Sequence, residues 1–114
     1  MHELSIALSI VESAEEAARN NNATVISKVE VEIGTMAGVE TEALLFAWDS
    51  VVQGTMAQDA PLIINSIQAE AHCLECGKDF RIDNYFTECP NCKSFRYQVV
   101  KGRELRMSSL TVDS

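Results

Sequence analysis

The sequence predicts an α+β fold, with two helices packed on a small, about three-stranded sheet and a cysteine-bearing lobe inserted before the last strand. Three observations predict it. Two segments carry apolar residues at helical spacing, other segments alternate apolar with polar residues, and all four cysteines are confined to residues 73–92.

The first helix is expected over Leu4 to Arg19. Leu4, Ala7, Leu8, Val11, Ala14 and Ala18 recur at three- and four-residue spacing, and Ile6 and Ile10 widen the stripe. Asn20-Asn21-Asn22 ends it, since asparagine tolerates the left-handed backbone of helix ends. Thr24 to Ile33 alternates, with Val25, Val29, Val31 and Ile33 on one face and Lys28, Glu30 and Glu32 on the other. A second helix is expected over Glu40 to Gln53, burying Leu44, Leu45, Trp48, Val51 and Val52 and stopping at Gly54. Leu62 to Ala71 reads as one strand, Phe95 to Val100 as another, and Leu105 to Val112 as the last. The apolar phase of that last strand slips between Met107 and Leu110. The expected organisation is one α/β domain from residues 1–70 and 101–114, interrupted by a metal-binding lobe at 71–100.

Composition narrows the function. Nine Lys+Arg against seventeen Asp+Glu give a formal charge of −8. Phosphate backbones repel such a chain, so nucleic acid is not the expected partner. No apolar run reaches the roughly 20 residues that span a bilayer. The N-terminus lacks the basic and apolar stretches of a signal peptide, which makes the cytoplasm the expected location and a reducing environment the expected setting for the thiols. No nucleophile-plus-base set and no phosphate-cradling glycine loop stands out, so an enzyme is not expected.

The cysteines form two pairs, Cys73-Leu74-Glu75-Cys76 and Cys89-Pro90-Asn91-Cys92, separated by twelve residues. Each pair can curl into a knuckle that presents two thiolates to one side of a metal. Two knuckles complete a tetrahedral thiolate cage, which Zn²⁺ accepts without strain. Spacing alone also admits iron. Four protein ligands leave no open position for water, so this zinc would be structural, and the lobe zinc-ribbon-like. Such a short lobe lies below the size at which a core alone holds a fold, so the metal is expected to fold it. His72 precedes Cys73 and is read as a strand-end residue with an exposed ring.

Met1-His2-Glu3 places an amine, backbone amides, an imidazole and a carboxylate within three residues. A planar, nitrogen-rich set of this kind suits Ni²⁺ or Cu²⁺ better than Zn²⁺. Most N-terminal histidines are simply solvated, and the residues alone leave that reading open.

The sequences Met1-His2-Glu3-Leu4-Ser5-Ile6-Ala7, Val31-Glu32-Ile33-Gly34, Gly38-Val39-Glu40, Cys73-x-x-Cys76-Gly77, Cys89-Pro90-x-Cys92 and Gly102-Arg103-Glu104-Leu105-Arg106 occur in one order and register. Over essentially its whole length the chain resembles the HypA/HybF family of hydrogenase nickel-incorporation proteins. The resemblance implies a nickel metallochaperone for nickel–iron hydrogenase, and in some organisms for urease. It implies that Met1, His2 and Glu3 hold nickel and that Cys73, Cys76, Cys89 and Cys92 hold structural zinc. It also implies work with a nickel-handling GTPase maturation factor and docking on the hydrogenase large subunit, without membrane or nucleic acid. Glu40 stands where an acid could supply a further nickel ligand, although a first-turn helix acid needs no other role.

The alternative is an acidic zinc-ribbon adaptor for protein or nucleic acid. Phe80, Tyr85, Phe86, Phe95 and Tyr97 surround the cysteines, and seven of the nine Lys+Arg follow Cys76. The expected role of those aromatics is a miniature core around the metal.

Overall fold

The computed structural model describes residues 2–113. Eight elements follow one another: α1 (Glu3–Asn20), β1 (Val25–Gly34), α2 (Thr41–Val51), β2 (Leu62–Ile67), β3 (Glu70–Cys73), β4 (Asp79–Arg81), β5 (Tyr97–Lys101) and β6 (Leu105–Asp113). They form two three-stranded sheets, ordered β2-β1-β6 and β4-β3-β5. The expected α+β class with a cysteine lobe is observed.

The chain divides into two compact units. One comprises 1–32, 39–65 and 106–114; the other comprises Ile33–Gly38 and Ser66–Leu105. In the first unit α1 buries Ile6, Ala7, Ile10, Val11, Ala14 and Ala18. The stripe is therefore rotated from the one the sequence suggests: Leu4 and Leu8 are half-exposed, while Ile6 and Ile10 lie inside. From α2, Leu44 and Trp48 are buried, and Leu45 is exposed. The Trp48 indole N–H donates to the Ala60 carbonyl at 2.9 Å, so the largest core side chain leaves no polar atom unpaired.

β1 departs from strict alternation. Val29, Val31 and Ile33 are buried as expected, but at the start of the strand Ile26 is buried and Val25 exposed. The phase slips by one between Ile26 and Val29, and β6 slips similarly between Met107 and Leu110. Two bonds, Val29 N–H to Pro61 and Thr35 N–H to Ile67, have the same sequence separation, so β1 and β2 run parallel with α2 in the crossover. Bonds from Gly34 N–H to Glu104 and from Thr24 N–H to Asp113 run oppositely, which makes β6 antiparallel to β1.

The segment expected as one strand from Leu62 to Ala71 is two strands in different sheets. The break falls at Gln68 and Ala69. There the Ala69 N–H bonds the Thr35 hydroxyl, and the Gln68 amide donates to the carbonyls of Ala69 and Ile82. The same junction explains two glycines. A Cβ on Gly34 would stand 2.0 Å from the Gly102 carbonyl, and one on Gly102 would stand 2.3 Å from Ala69 Cα. Only residues without side chains permit three backbones to approach so closely.

Candidate metal centres

Cys73 ends β3, and the four residues that follow it turn back on themselves. The Gly77 N–H donates to the Cys73 carbonyl and the Cys73 N–H to the Lys78 carbonyl. The second knuckle repeats this: Lys93 N–H donates to the Cys89 carbonyl, and Cys89 N–H to the Ser94 carbonyl. In both, the residue after the second cysteine has left-handed backbone, φ +77° at Gly77 and +66° at Lys93. The lysine adopts the conformation that the knuckle demands despite its Cβ.

β3 pairs with β4 on one side and β5 on the other, which holds the two knuckles face to face. The Sγ atoms of Cys73 and Cys92 are 3.5 Å apart, those of Cys76 and Cys89 3.6 Å, and all four lie within 4.8 Å of one another. A tetrahedron with Zn–S bonds of about 2.3 Å has S···S edges of about 3.8 Å, so the donor set fits that ion. Among the described residues, no other group of three or more His, Cys, Asp or Glu donors converges in this way.

The thiols are prepared unequally. A hydrogen bond from the Asn91 side chain, followed by the Lys78 backbone amide, draws Cys76 down to about 6. The Cys76 backbone amide is the largest influence lowering Cys73. At Cys92 the Ser94 amide lowers the pKa, but desolvation and the three neighbouring sulfurs outweigh it and push the thiol up to about 12. Four sulfurs in contact cannot all carry charge without a cation among them. Asn91 was invisible as a participant in the sequence reading; its place between the second pair of cysteines was the only signal.

Cys73 and Cys89 are buried with Ala69, Ala71, Phe80 and Ile82, and Met36, Tyr97 and Val99 pack on this cluster. Phe80 and Tyr97 meet edge to face at 5.3 Å. Of the five aromatics expected in that core, Phe80 and Tyr97 take part, while Tyr85, Phe86 and Phe95 are exposed. The His72 ring stays outside the cage and bonds the Asp79 carboxylate at 2.6 Å.

The other expected site lies at the start of α1. Met1 is outside the described residues. His2 is exposed and occupies the N-cap position, with no side-chain capping bond. Its carbonyl accepts the first helical bond, from Ile6 N–H at 3.1 Å. The Glu3 carboxylate accepts the Glu40 backbone N–H at 3.1 Å, which caps α2 from another segment of the chain. That bond holds the Glu3 carboxyl below its ordinary range. Glu3 is thus anchored beside the N-terminus of α2, and the His2 and Glu40 side chains are exposed. Periodicity could not show this link, since the partners are far apart in sequence.

The family model for hydrogenase/urease nickel incorporation metallochaperones, HypA, matches residues 1–112. A hydrogenase maturation factor HypA from Prosthecochloris aestuarii is 39% identical over 113 residues, covering 99% of this chain and all of that protein. Another from Parabacteroides distasonis is 43% identical over 98% of this chain and 97% of its own length. The solution structure of the nickel metallochaperone HypA from Helicobacter pylori superposes with a TM-score of 0.71 at 28% identity, covering 100% of this chain and 99% of that one.

Proposed function

This chain belongs to the HypA family of hydrogenase/urease nickel-incorporation metallochaperones, and from that premise we propose that it binds Ni(II) at Met1, His2 and Glu3 and delivers it for maturation of nickel–iron hydrogenase. The observation that carries this reading is the family match over residues 1–112, which takes in the N-terminal donors and all four cysteines. In this reading Cys73, Cys76, Cys89 and Cys92 hold structural zinc, and the chain acts as a carrier and not as an enzyme. Residues 1–70 with 101–114 handle nickel, and residues 71–100 bind zinc. A nickel-handling GTPase and the hydrogenase large subunit are the partners, urease is a second possible recipient, and the cytoplasm is the setting. No described helix is long and apolar enough to cross a membrane.

The local chemistry supports a releasable site. Among the described residues the first bond of α1 runs from the Ile6 N–H to the His2 carbonyl, and the Glu3 amide at the first helical position has no carbonyl partner inside the helix. A metal can recruit backbone nitrogen at this end without removing a helical hydrogen bond. The positive end of the helix dipole disfavours a bare dication. Deprotonated amide nitrogens offset that charge, so nickel affinity falls as pH drops. A sealed tetrathiolate retains its ion, whereas an exposed chelate with few protein ligands exchanges it.

The nucleic-acid form of the adaptor alternative loses electrostatic support. In the zinc unit Arg81, Lys93, Arg96 and Lys101 each lie within ion-pair distance of a carboxylate, and the Arg103 guanidinium stacks on Tyr85. No continuous free basic stripe remains among these residues for a phosphate backbone.

The test is equilibrium titration of untagged protein and of His2→Ala with Ni²⁺, with zinc content measured in parallel. Loss of nickel binding at unchanged zinc is expected. Stoichiometric nickel affinity retained in the variant refutes the assignment. An N-terminal extension should act like the variant, because it turns the amine into an amide.

A further inference from the structure

Accessibility divides the four cysteines. Cys92 is exposed and Cys76 half-buried, whereas Cys73 and Cys89 are fully buried. Each reachable sulfur is backed by a buried one on the other knuckle. Cys92 Sγ lies 3.5 Å from Cys73 Sγ, and Cys76 Sγ lies 3.6 Å from Cys89 Sγ. Those separations are van der Waals contact, so a local shift of the sulfurs suffices to reach a disulfide bond of about 2.0 Å. The strands keep the contacts in place. β3 carries Cys73 and pairs with both β4 and β5, and the Leu74 N–H donates to the Arg96 carbonyl just beyond the second knuckle.

A metal-ligating cysteine is a thiolate, which is also the nucleophilic form of the side chain. Oxidation of one sulfur therefore removes a ligand that a closed cage would otherwise keep. We propose that the cage is a peroxide-responsive thiol switch, in which Cys92 is the attacking sulfur, Cys73 resolves it, and the disulfide between the knuckles releases the metal. This inference rests on the reading of these cysteines as the zinc site.

The chemistry balances with hydrogen peroxide as the oxidant. The Cys92 thiolate attacks one peroxide oxygen; an S–O bond forms, the O–O bond breaks, and hydroxide leaves. The Cys73 thiolate then attacks Cys92 Sγ; the S–S bond forms, the S–O bond breaks, and a second hydroxide leaves. Two sulfurs have lost two electrons, one peroxide has gained them, and both hydroxides are protonated to water. A second peroxide oxidises Cys76 and Cys89 in the same way. Contact matters because a sulfenic acid without a thiol partner is carried by further peroxide to the sulfinic acid, which is not readily recovered. Both crosslinks join one knuckle to the other, so they staple the unit in place of the ion. A disulfide within either Cys-x-x-Cys would leave the knuckles free to part. Reduction returns the four thiols in the same arrangement, ready for metal.

The experiment treats the zinc-loaded full chain with one and then two equivalents of hydrogen peroxide beside a colorimetric zinc indicator. Zinc should appear with the first equivalent. Non-reducing peptide mapping should then find Cys73 joined to Cys92, and after the second equivalent Cys76 joined to Cys89. Cleavage after Glu75 parts Cys73 from Cys76, so disulfides within a knuckle give different linked peptides. With dimedone present from the start, the sulfenic acid should be captured at Cys92 in at least about tenfold excess over Cys73 or Cys89. The oxidised, metal-free chain should retain exchange protection at Ile82, whose N–H bonds the Ala69 carbonyl. Dithiothreitol with zinc should restore four thiols and one bound ion. Disulfides confined to Cys73–Cys76 and Cys89–Cys92 overturn the proposal, as does capture at a buried cysteine, or sulfinic acid as the main product. A chain that holds one zinc and keeps it through both equivalents refutes this inference alone. A chain purified without zinc refutes the reading on which it rests, and the inference with it.

Discussion

Removing zinc should unfold one part of this protein and spare the other, and the part that opens should be the compact unit of Ile33–Gly38 and Ser66–Leu105. The large buried side chains clustered with the cysteines are Phe80 and Ile82; Ala69 and Ala71 complete that cluster. Burial of two such side chains contributes about 3–6 kcal/mol. Tetrathiolate zinc in a small peptide contributes about 10–16 kcal/mol. The metal term exceeds the apolar term, so the metal-free unit has too little left to offset the entropy of ordering its chain. Met36 packs on the same core, Met36 N–H bonds the Gly102 carbonyl, and Thr35 N–H bonds the Ile67 carbonyl. Ile33–Gly38 should therefore open together with Ser66–Leu105. Hydrogen exchange before and after treatment with a strong chelator reads this directly. Protection should be lost at Thr35, Met36, Cys73, Ile82 and Cys89, yet kept in α1 and α2, where Trp48 and Leu44 remain buried. Equal loss across α1 and the zinc unit would refute the reasoning, and so would full protection at Cys73 after metal-free protein has been verified by elemental analysis.

Other outcomes can be checked one at a time. Asn91→Ala removes the strongest influence holding the Cys76 thiolate, so zinc affinity should fall about tenfold in competition with a colorimetric chelator. Gly102→Ala drives a Cβ to 2.3 Å from Ala69, at a φ of +115° that alanine resists, and should cost about 3 kcal/mol by chemical denaturation. Lys93→Gly relieves a left-handed lysine and should raise stability by about 0.5–1 kcal/mol, whereas Gly77→Lys should lower it. The Glu3 carboxyl is held low by the Glu40 amide, so its contribution is present above 4.5 and is lost as pH falls through the lowered value. The Glu40 amide resonance should titrate with a midpoint below 4.5, and that titration should vanish in Glu3→Gln.

Much of this architecture was legible because its signals are local. The helices begin and end within a few residues of where apolar spacing puts them, and the knuckles were readable from two Cys-x-x-Cys pairs. What was not legible is set by contacts between distant segments. The rhythm of Ile63, Ile67, Ala69 and Ala71 runs unbroken through the point where β2 ends and β3 begins. Only the arrival of Thr35 and Gly102 at Ala69 divides it. Leu4 and Leu8 satisfy the helical period as well as Ile6 and Ile10 do, and the partner surface decides which are buried. The three-residue strand β4 is too short to carry a period at all. The Glu3–Glu40 bond joins two acids that sequence reasoning could treat only as separate first-turn residues.

The two knuckles offer a further argument, because they are nearly one structure written twice. Both use the same pair of backbone bonds and the same left-handed position, yet one holds glycine and the other lysine. If the conformation were set by sequence alone, Lys93 would resist it by about 1–2 kcal/mol. A metal that contributes several times that amount is able to impose it. The second knuckle should then be the one that depends on zinc for its shape. In metal-free protein, where neither knuckle is protected from exchange, backbone chemical shifts should show a residual left-handed population at Gly77 and none at Lys93. An equal left-handed population at both positions would show that the chain, and not the ion, sets the left-handed turn at Lys93.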